Sequence, residues 1–271
     1  MDVATVVGLL GIGLLTGVTT VVFGFGGGFV TVPVVVWADS ALGADAVRVA
    51  TATSALVMVV NAGLATAVTP RRTLAALRGS GPLVPLLAAG AAAGALAAGA
   101  APAGLAHWAF VGYTTLTIAD VLLRPGFLRP RGEAAGAAVP RPLPVALGVP
   151  IGGVAAFLGV GGSVMTVPAM RRAGHPMRVA TALANPLTLA VAVPAAAVCL
   201  TGAGVPGPAS AQVSLVGLVD VRAAVFLLAG ALPVIAVLRR HPLRVPDRVH
   251  AVAYVALLAV VTGVMIALGD S

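Results

Sequence analysis

Apolar residues in this chain run on for twenty positions or more, and polar residues are gathered into short tracts between the runs. The runs are Val3–Trp37, Val47–Val68, Gly81–Ala100, Ala106–Leu123, Leu143–Met170, Val179–Leu200, Val219–Leu238 and Val249–Leu268. A helix crossing a bilayer needs about 20 mostly apolar residues, so the pattern predicts helices set in lipid. Two runs are unusual. Val3–Trp37 is too long for one ordinary span, and both it and Leu143–Met170 are interrupted by glycines. The longest hydrophilic stretch, Arg124–Arg141, carries four arginines, Glu133 and several prolines. It reads as a linker over residues 124–142, joining a first membrane unit (1–123) to a second (143–271).

Composition narrows the class. Hydrophobic residues make up 59% of the 271 and charged ones 9%, with a mean hydropathy of +1.08. A soluble domain carries about 25% charge, so a soluble enzyme, a disordered protein and a disulfide scaffold are excluded for the whole chain. What remains is a polytopic membrane protein whose standing partner is the lipid bilayer. All 16 basic residues are arginine, and the net charge is +8. Nucleic-acid binding needs a clustered basic face, often with aromatic platforms. Here aromatics are 4% and the arginines sit between apolar runs, so no nucleic-acid partner is expected. The lone Cys199 can form neither an intrachain disulfide nor a Cys-rich metal site, and reads as a small buried apolar residue. Met1-Asp2-Val3 lacks the positive start of a signal peptide, so the first run is expected to be retained.

The arginines orient the chain. Four tracts hold fourteen of them: Arg71, Arg72 and Arg78; Arg124, Arg129, Arg131 and Arg141; Arg171, Arg172 and Arg178; Arg239, Arg240, Arg244 and Arg248. Cytoplasmic loops concentrate positive charge. All four tracts lie inside only if Leu143–Met170 enters and returns on the cytoplasmic face. Arg129 and Arg171 then share a side, Val47–Val68 runs inward and Val179–Leu200 runs outward. The expected location is the bacterial cytoplasmic membrane.

The same two runs carry an internal repeat. Gly24-Phe25-Gly26-Gly27-Gly28-Phe29-Val30-Thr31-Val32-Pro33 matches Gly159-Val160-Gly161-Gly162-Ser163-Val164-Met165-Thr166-Val167-Pro168 at an offset of 135. Arg48-Val49-Ala50-Thr51-Ala52 then matches Arg178-Val179-Ala180-Thr181-Ala182 at an offset of 130. The predicted fold is all-α: two inverted repeats, each a glycine-broken segment, spanning or re-entrant, plus about three transmembrane helices. Inverted repeats recur in secondary transporters, whose sites lie near mid-membrane where broken helices meet.

Glycine can take φ > 0 and lets backbone approach a ligand. The short helix that follows offers free N–H groups and the positive end of its dipole to an anion. The candidate binding set is Gly24, Gly26, Gly27, Gly28, Thr31, Thr51, Thr53 and Ser54, with Gly159, Gly161, Gly162, Ser163, Thr166, Thr181 and Asn185. Pro33 and Pro168 are candidate helix breakers. At Gly27 and Gly162, matched by the repeat, a positive φ and a close approach to the anion are expected, so that valine at either should abolish transport. No Asp, Glu or Arg lies in either glycine motif, so dipoles and hydroxyls would hold the anion. Asn61 is a weaker candidate, either binding the anion or bridging helices. Asp120 and Arg124 are expected to pair at an interface, where His107 and His250 are also expected. Asp39, Asp45 and Asp220 fall near segment ends, and no carboxylate stands out for proton coupling.

The paired Gly-x-Gly-Gly-Gly/Ser…Pro motifs, each followed by an Ala-Thr-containing helix start, resemble the TauE/SafE sulfite exporter family. The resemblance covers nearly the whole chain and implies movement of small sulfur-containing anions such as sulfite or organosulfonates. One departure is visible: the first half keeps Thr53-Ser54, where the second reads Leu183-Ala184-Asn185-Pro186. The function expected is therefore a permease for small anions working by alternating access. No catalytic residue, metal or cofactor is expected, and a homo-oligomer is left open. An integral-membrane enzyme or a scaffold without transport activity is the alternative.

Overall fold

A computed structural model describes residues 3–128, 143–202, 214–241, 243 and 245–269. The glycines break the first run where the sequence predicts. Helix α1 (Val3–Phe23) stops before a loop in which Gly24, Gly26 and Gly27 have φ of 76°, 63° and 87°. No residue with a Cβ adopts that sequence of angles readily. Helix α2 (Gly28–Ala38) resumes the chain, with Pro33 inside it. The second broken run gives α7 (Gly148–Leu158), a loop with Gly159 and Gly161 at φ 69° and 70°, and α8 (Ser163–Arg172), with Pro168 inside. At 1.5 Å per residue, the 11 residues of α2 or α7 rise about 16 Å, roughly half a hydrocarbon core.

The remaining helices are α3 (Ala46–Ala67), the single turn α4 (Arg71–Leu74), α5 (Leu83–Ala100), α6 (Ala103–Leu123), α9 (Met177–Thr201), α10 (Val221–Arg240) and α11 (Asp247–Gly269). Among the described residues, six helices are long and apolar enough to cross a membrane: α1, α3, α5, α9, α10 and α11. The less apolar α6 is not among those six, despite its 21 residues. One two-residue strand pair, β1 (Leu215–Val216) with β2 (Val219–Asp220), precedes α10. The sequence predicts helix from Val219; instead Val219 and Asp220 form β2, and Asp220 caps α10 by accepting from the amides of Arg222 and Ala223.

Bare backbone contacts hold the helices together, as expected where lipid removes the hydrophobic drive for helix association. A Cβ on Gly13 or Gly17 of α1 would strike the Leu227 or Ala231 carbonyl of α10. A Cβ on Gly152 of α7 would strike the Leu87 carbonyl of α5, and one on Gly148 would meet Leu86 and the Leu83 carbonyl. Each contact pair advances in the same sense, so α1 runs with α10 and α7 runs with α5. Between these outer pairs α3 packs on α9, and the two are the most enclosed of the candidate spans.

Members of all four arginine tracts gather at one end of the bundle. Arg124 and Arg172 both pair with Asp120, at 3.1 and 2.6 Å. Arg171, fully buried, pairs with Asp247 at 2.7 Å and donates to the Phe127 and His175 carbonyls. Asp247 also accepts from the Met177 amide. Arg72, Arg178, Arg239 and Arg240 line a cavity beside this cluster. The linker arginines Arg129, Arg131 and Arg141, together with Arg244, lie outside the described residues. The segment from α7 to α8 starts beside the first turn of α5 and finishes at Arg172, so it leaves and returns at this same end.

Candidate functional site

Both glycine loops close onto the two central helices, and they do so in matching ways. The Gly24 position abuts the Thr181 carbonyl of α9, and the Gly159 position abuts Thr51 of α3. Further in, Gly26 and Gly161 both meet Met58 of α3 and Thr188 of α9. The Met58 thioether lies against Gly28 as well, so it fills the gap between the loops. Ser54 ties the loops together: its hydroxyl donates to the Gly159 carbonyl at 2.7 Å and to the Gly28 carbonyl at 3.3 Å.

Beyond that point the loops part company. Around Gly27 the nearest groups are the Asn61 amide nitrogen, which would lie 2.9 Å from a Cβ there, and then Thr16 and Thr20. Around Gly162 they are Val191, Ile151 and the Thr166 methyl, at 3.5, 3.7 and 3.9 Å. The repeat offsets map Thr16 onto Ile151 and Asn61 onto Val191. Thr16 and Asn61 beside the first loop therefore have apolar counterparts beside the second. Gly162 itself has φ −73°, not the positive value expected from its match to Gly27. The second loop needs only two left-handed residues to turn, and Gly162 is already in helical conformation as the cap of α8. The positive φ expected at both glycines is thus found at Gly27 alone.

Asn61 is wholly buried, and among the described residues neither its Oδ1 nor its Nδ2 has a hydrogen-bond partner. A buried polar group left unpaired costs about 1–3 kcal/mol, which a ligand would recover. Asn185, also buried, reaches the same region. Its amide donates to the Thr20 and Thr181 carbonyls at 3.4 and 3.3 Å, and its Oδ1 is free. Of the first amides of α2, those of Gly28, Val30 and Thr31 already donate to the Phe25 and Gly27 carbonyls, at 3.3, 3.2 and 3.0 Å. The donor beside Gly27 is therefore the Asn61 amide, which carries no formal charge.

The other candidate residues divide. Ser163 and Thr166, on the first turn of α8, have buried hydroxyls without partners among the described residues. Thr31 is turned back on the Gly27 carbonyl at 3.0 Å, and Thr181 on that of Arg178 at 3.3 Å. Thr53 is not brought to either loop: it accepts from the Asp220 amide at 2.9 Å, at the end away from the arginines. Asp39 lies at that end too, buried, with Oδ2 unpartnered. Burial, reinforced by the charge of Asp220, pushes the Asp39 carboxyl up to about 7. Burial also raises Asp220, against the two amides and the Arg222 charge that lower it.

Thr16, Thr20, Met58 and Thr188 escape a reading of motifs because none belongs to one. Comparing the repeats at their polar differences would have found Thr16 and raised Asn61 above its weak standing. His250 meets the Val22 carbonyl and the Phe23 ring, whereas His107 lies against Trp108 and Gly269.

Helices of membrane length around two facing half-helices define a polytopic helical membrane protein with a candidate anion-sized site. The chain belongs to the sulfite exporter TauE/SafE family, whose profile matches residues 9–265. It is thereby a multi-pass membrane transporter of the sulfur-anion class, in a family of transporters and not of enzymes. No curated protein and no solved structure matches it.

Proposed function

We propose that this chain carries sulfite or small organosulfonates across the bacterial cytoplasmic membrane, binding them beside Gly27 and alternating access around the two glycine loops. The observation that carries the reading is the buried Asn61 amide, unpartnered and facing Gly27 at the start of α2. A sulfite or sulfonate oxygen accepts from amide N–H groups and from a helix N-terminus without needing a full countercharge. Neutral donors also let the anion leave, as a carrier requires.

Two inverted repeats, residues 1–123 and 143–271, supply the alternation in this reading. Its support is the exchange of partners: α1 packs on α10 as α7 packs on α5, through the matched glycines 13 and 17, and 148 and 152. The arginine-rich end faces the cytoplasm by the positive-inside rule. Met58, lying between the loops, must move aside when the anion passes.

The test is uptake of labelled sulfite, sulfate and small sulfonates into proteoliposomes. Sulfite or sulfonate flux that saturates is expected, and it should be lost in Asn61→Val. Absence of flux for every sulfur anion in well-folded wild-type protein would overturn the reading in favour of a scaffold or an enzyme.

A further inference from the structure

Three arginine tracts distant in sequence meet in one cavity of about 540 Å³ at the arginine-rich end. Its wall is built from the ends of α1, α3 and α10 and from α4 and the starts of α9 and α11, and it carries Arg72, Arg178, Arg239 and Arg240. Among the described residues, none of these four has a carboxylate within ion-pairing distance. Their neighbours at the same end differ: Arg124, Arg171 and Arg172 are each paired with Asp120 or Asp247. The Nε and Nη2 of Arg239 are buried and have no hydrogen-bond partner among the described residues. A guanidinium stays charged under all ordinary conditions, so four of them around one cavity repel each other until an anion joins them.

The floor of the cavity leads to the first glycine loop. Thr181 lines the cavity, its carbonyl abuts Gly24, and that same carbonyl accepts from Asn185. Val21 and Val22, the next turn of α1 after Thr20, complete this wall.

We infer that the cavity is a second oxyanion site, a loading vestibule in which Arg239 holds a sulfur oxyanion before it passes to Asn61. The Arg239 fork suits two oxygens of one sulfite, sulfate or sulfonate group. Arg72, Arg178 and Arg240 raise the local anion concentration and make capture dependent on salt. The inference rests on the transport reading above. A phosphate headgroup of an anionic lipid presents the same chemistry.

Calorimetric titration of inorganic sulfate and sulfite into purified protein in phosphatidylcholine nanodiscs tests it, run beside proteoliposome flux. Wild-type protein should bind, and Arg239→Gln should weaken binding roughly tenfold or more. Arg178→Gln, at an exposed position that leaves folding intact, should weaken it by a few fold and flatten the salt dependence. Flux in Arg239→Gln should show a raised KM with the maximal rate nearly preserved. Asn61→Val should lose flux and keep vestibule binding, which separates the two sites. Unchanged binding in both arginine variants, or binding lost only in Asn61→Val, would overturn the vestibule. Wild-type binding abolished by phosphatidylglycerol in the discs would reassign it to a lipid headgroup. Vestibule binding with no flux of any sulfur anion would uphold this site and sink the transport reading.

Discussion

Gly27 and Gly162 occupy the same place in two copies of one motif, yet their surroundings differ in kind. The first is left-handed and faces Asn61, Thr16 and Thr20; the second is helical and faces Val191 and Ile151. The segments that carry them differ too. Fully buried Arg171 pins the end of α8 to α11 and to the turn after α6, whereas its counterpart on α2 is Val36. Both copies of the motif have the helix break and the glycine packing beside it. Beside the first loop the unpartnered polar group is Asn61 of a neighbouring helix; beside the second, Ser163 and Thr166 belong to α8 itself. In the proposed reading the first loop, beside Asn61, holds the anion, and the second, on the segment pinned by Arg171, shapes the cavity.

Exchanging residues between the loops should give the largest effects. Asn61→Val installs the second loop's residue in the first, and flux should fall by about two orders of magnitude. Stability should hold or rise by about 1–3 kcal/mol, because an unpaired amide is removed. Thermal melting of the variant beside labelled sulfite flux checks both. A large loss of stability would mean that Asn61 pairs within the protein and that the loops are more alike than they look.

Next comes the anchor of the second segment. Arg171→Met should destabilise by about 3 kcal/mol, since Asp247 and the Phe127 carbonyl lose their partner. Val36→Ala, at the matching point of the first segment, should cost clearly less in the same melts. Equal costs would remove the distinction between a pinned and a free segment.

A pH effect of middling size belongs to the first segment, where Asp39 follows α2; Gly174 stands at the matching position after α8. A carboxyl raised to about 7 when folded binds its proton more tightly than the unfolded chain, whose value is near 3.8. Stability should therefore be highest below about pH 4, decline as pH rises through that window, and level off above about 7. Melting across this range should show the decline in wild type and a flatter profile in Asp39→Asn. An unchanged profile in the variant would assign the pH dependence elsewhere. The smallest effect expected is that of Tyr254→Phe. The hydroxyl donates to the Ser163 and Val164 carbonyls at 3.3 and 3.2 Å, and its loss should cost about 1 kcal/mol with flux retained.

The breaks in the first and fifth apolar runs could be read from the sequence because clustered glycines and a following proline have few other uses in a hydrophobic segment. The meeting of arginine tracts at one end followed from charge alone. Pairing of helices across the halves did not, because α1 finds α10 through single glycines whose role depends on what faces them. Nor did the unequal loops. Gly27 and Gly162 are the same letter, and their φ values differ because the second loop completes its turn one residue earlier. Thr53 looked like a partner to Ser54, but adjacent residues on a helix point about 100° apart. One reaches the loops and the other the amide of Asp220.

Side-by-side flux of labelled sulfite through Gly27→Ala and Gly162→Ala, normalised to folded protein, tests the unequal-loop account most directly. At Gly27 a methyl group meets Asn61 at 2.9 Å from a backbone at φ 87°; at Gly162 it has only ordinary contacts of 3.5 Å or more and a helical backbone. The account predicts that Gly27→Ala abolishes flux while Gly162→Ala transports like wild type. Equal losses in the two variants, or a greater loss in Gly162→Ala, would contradict it.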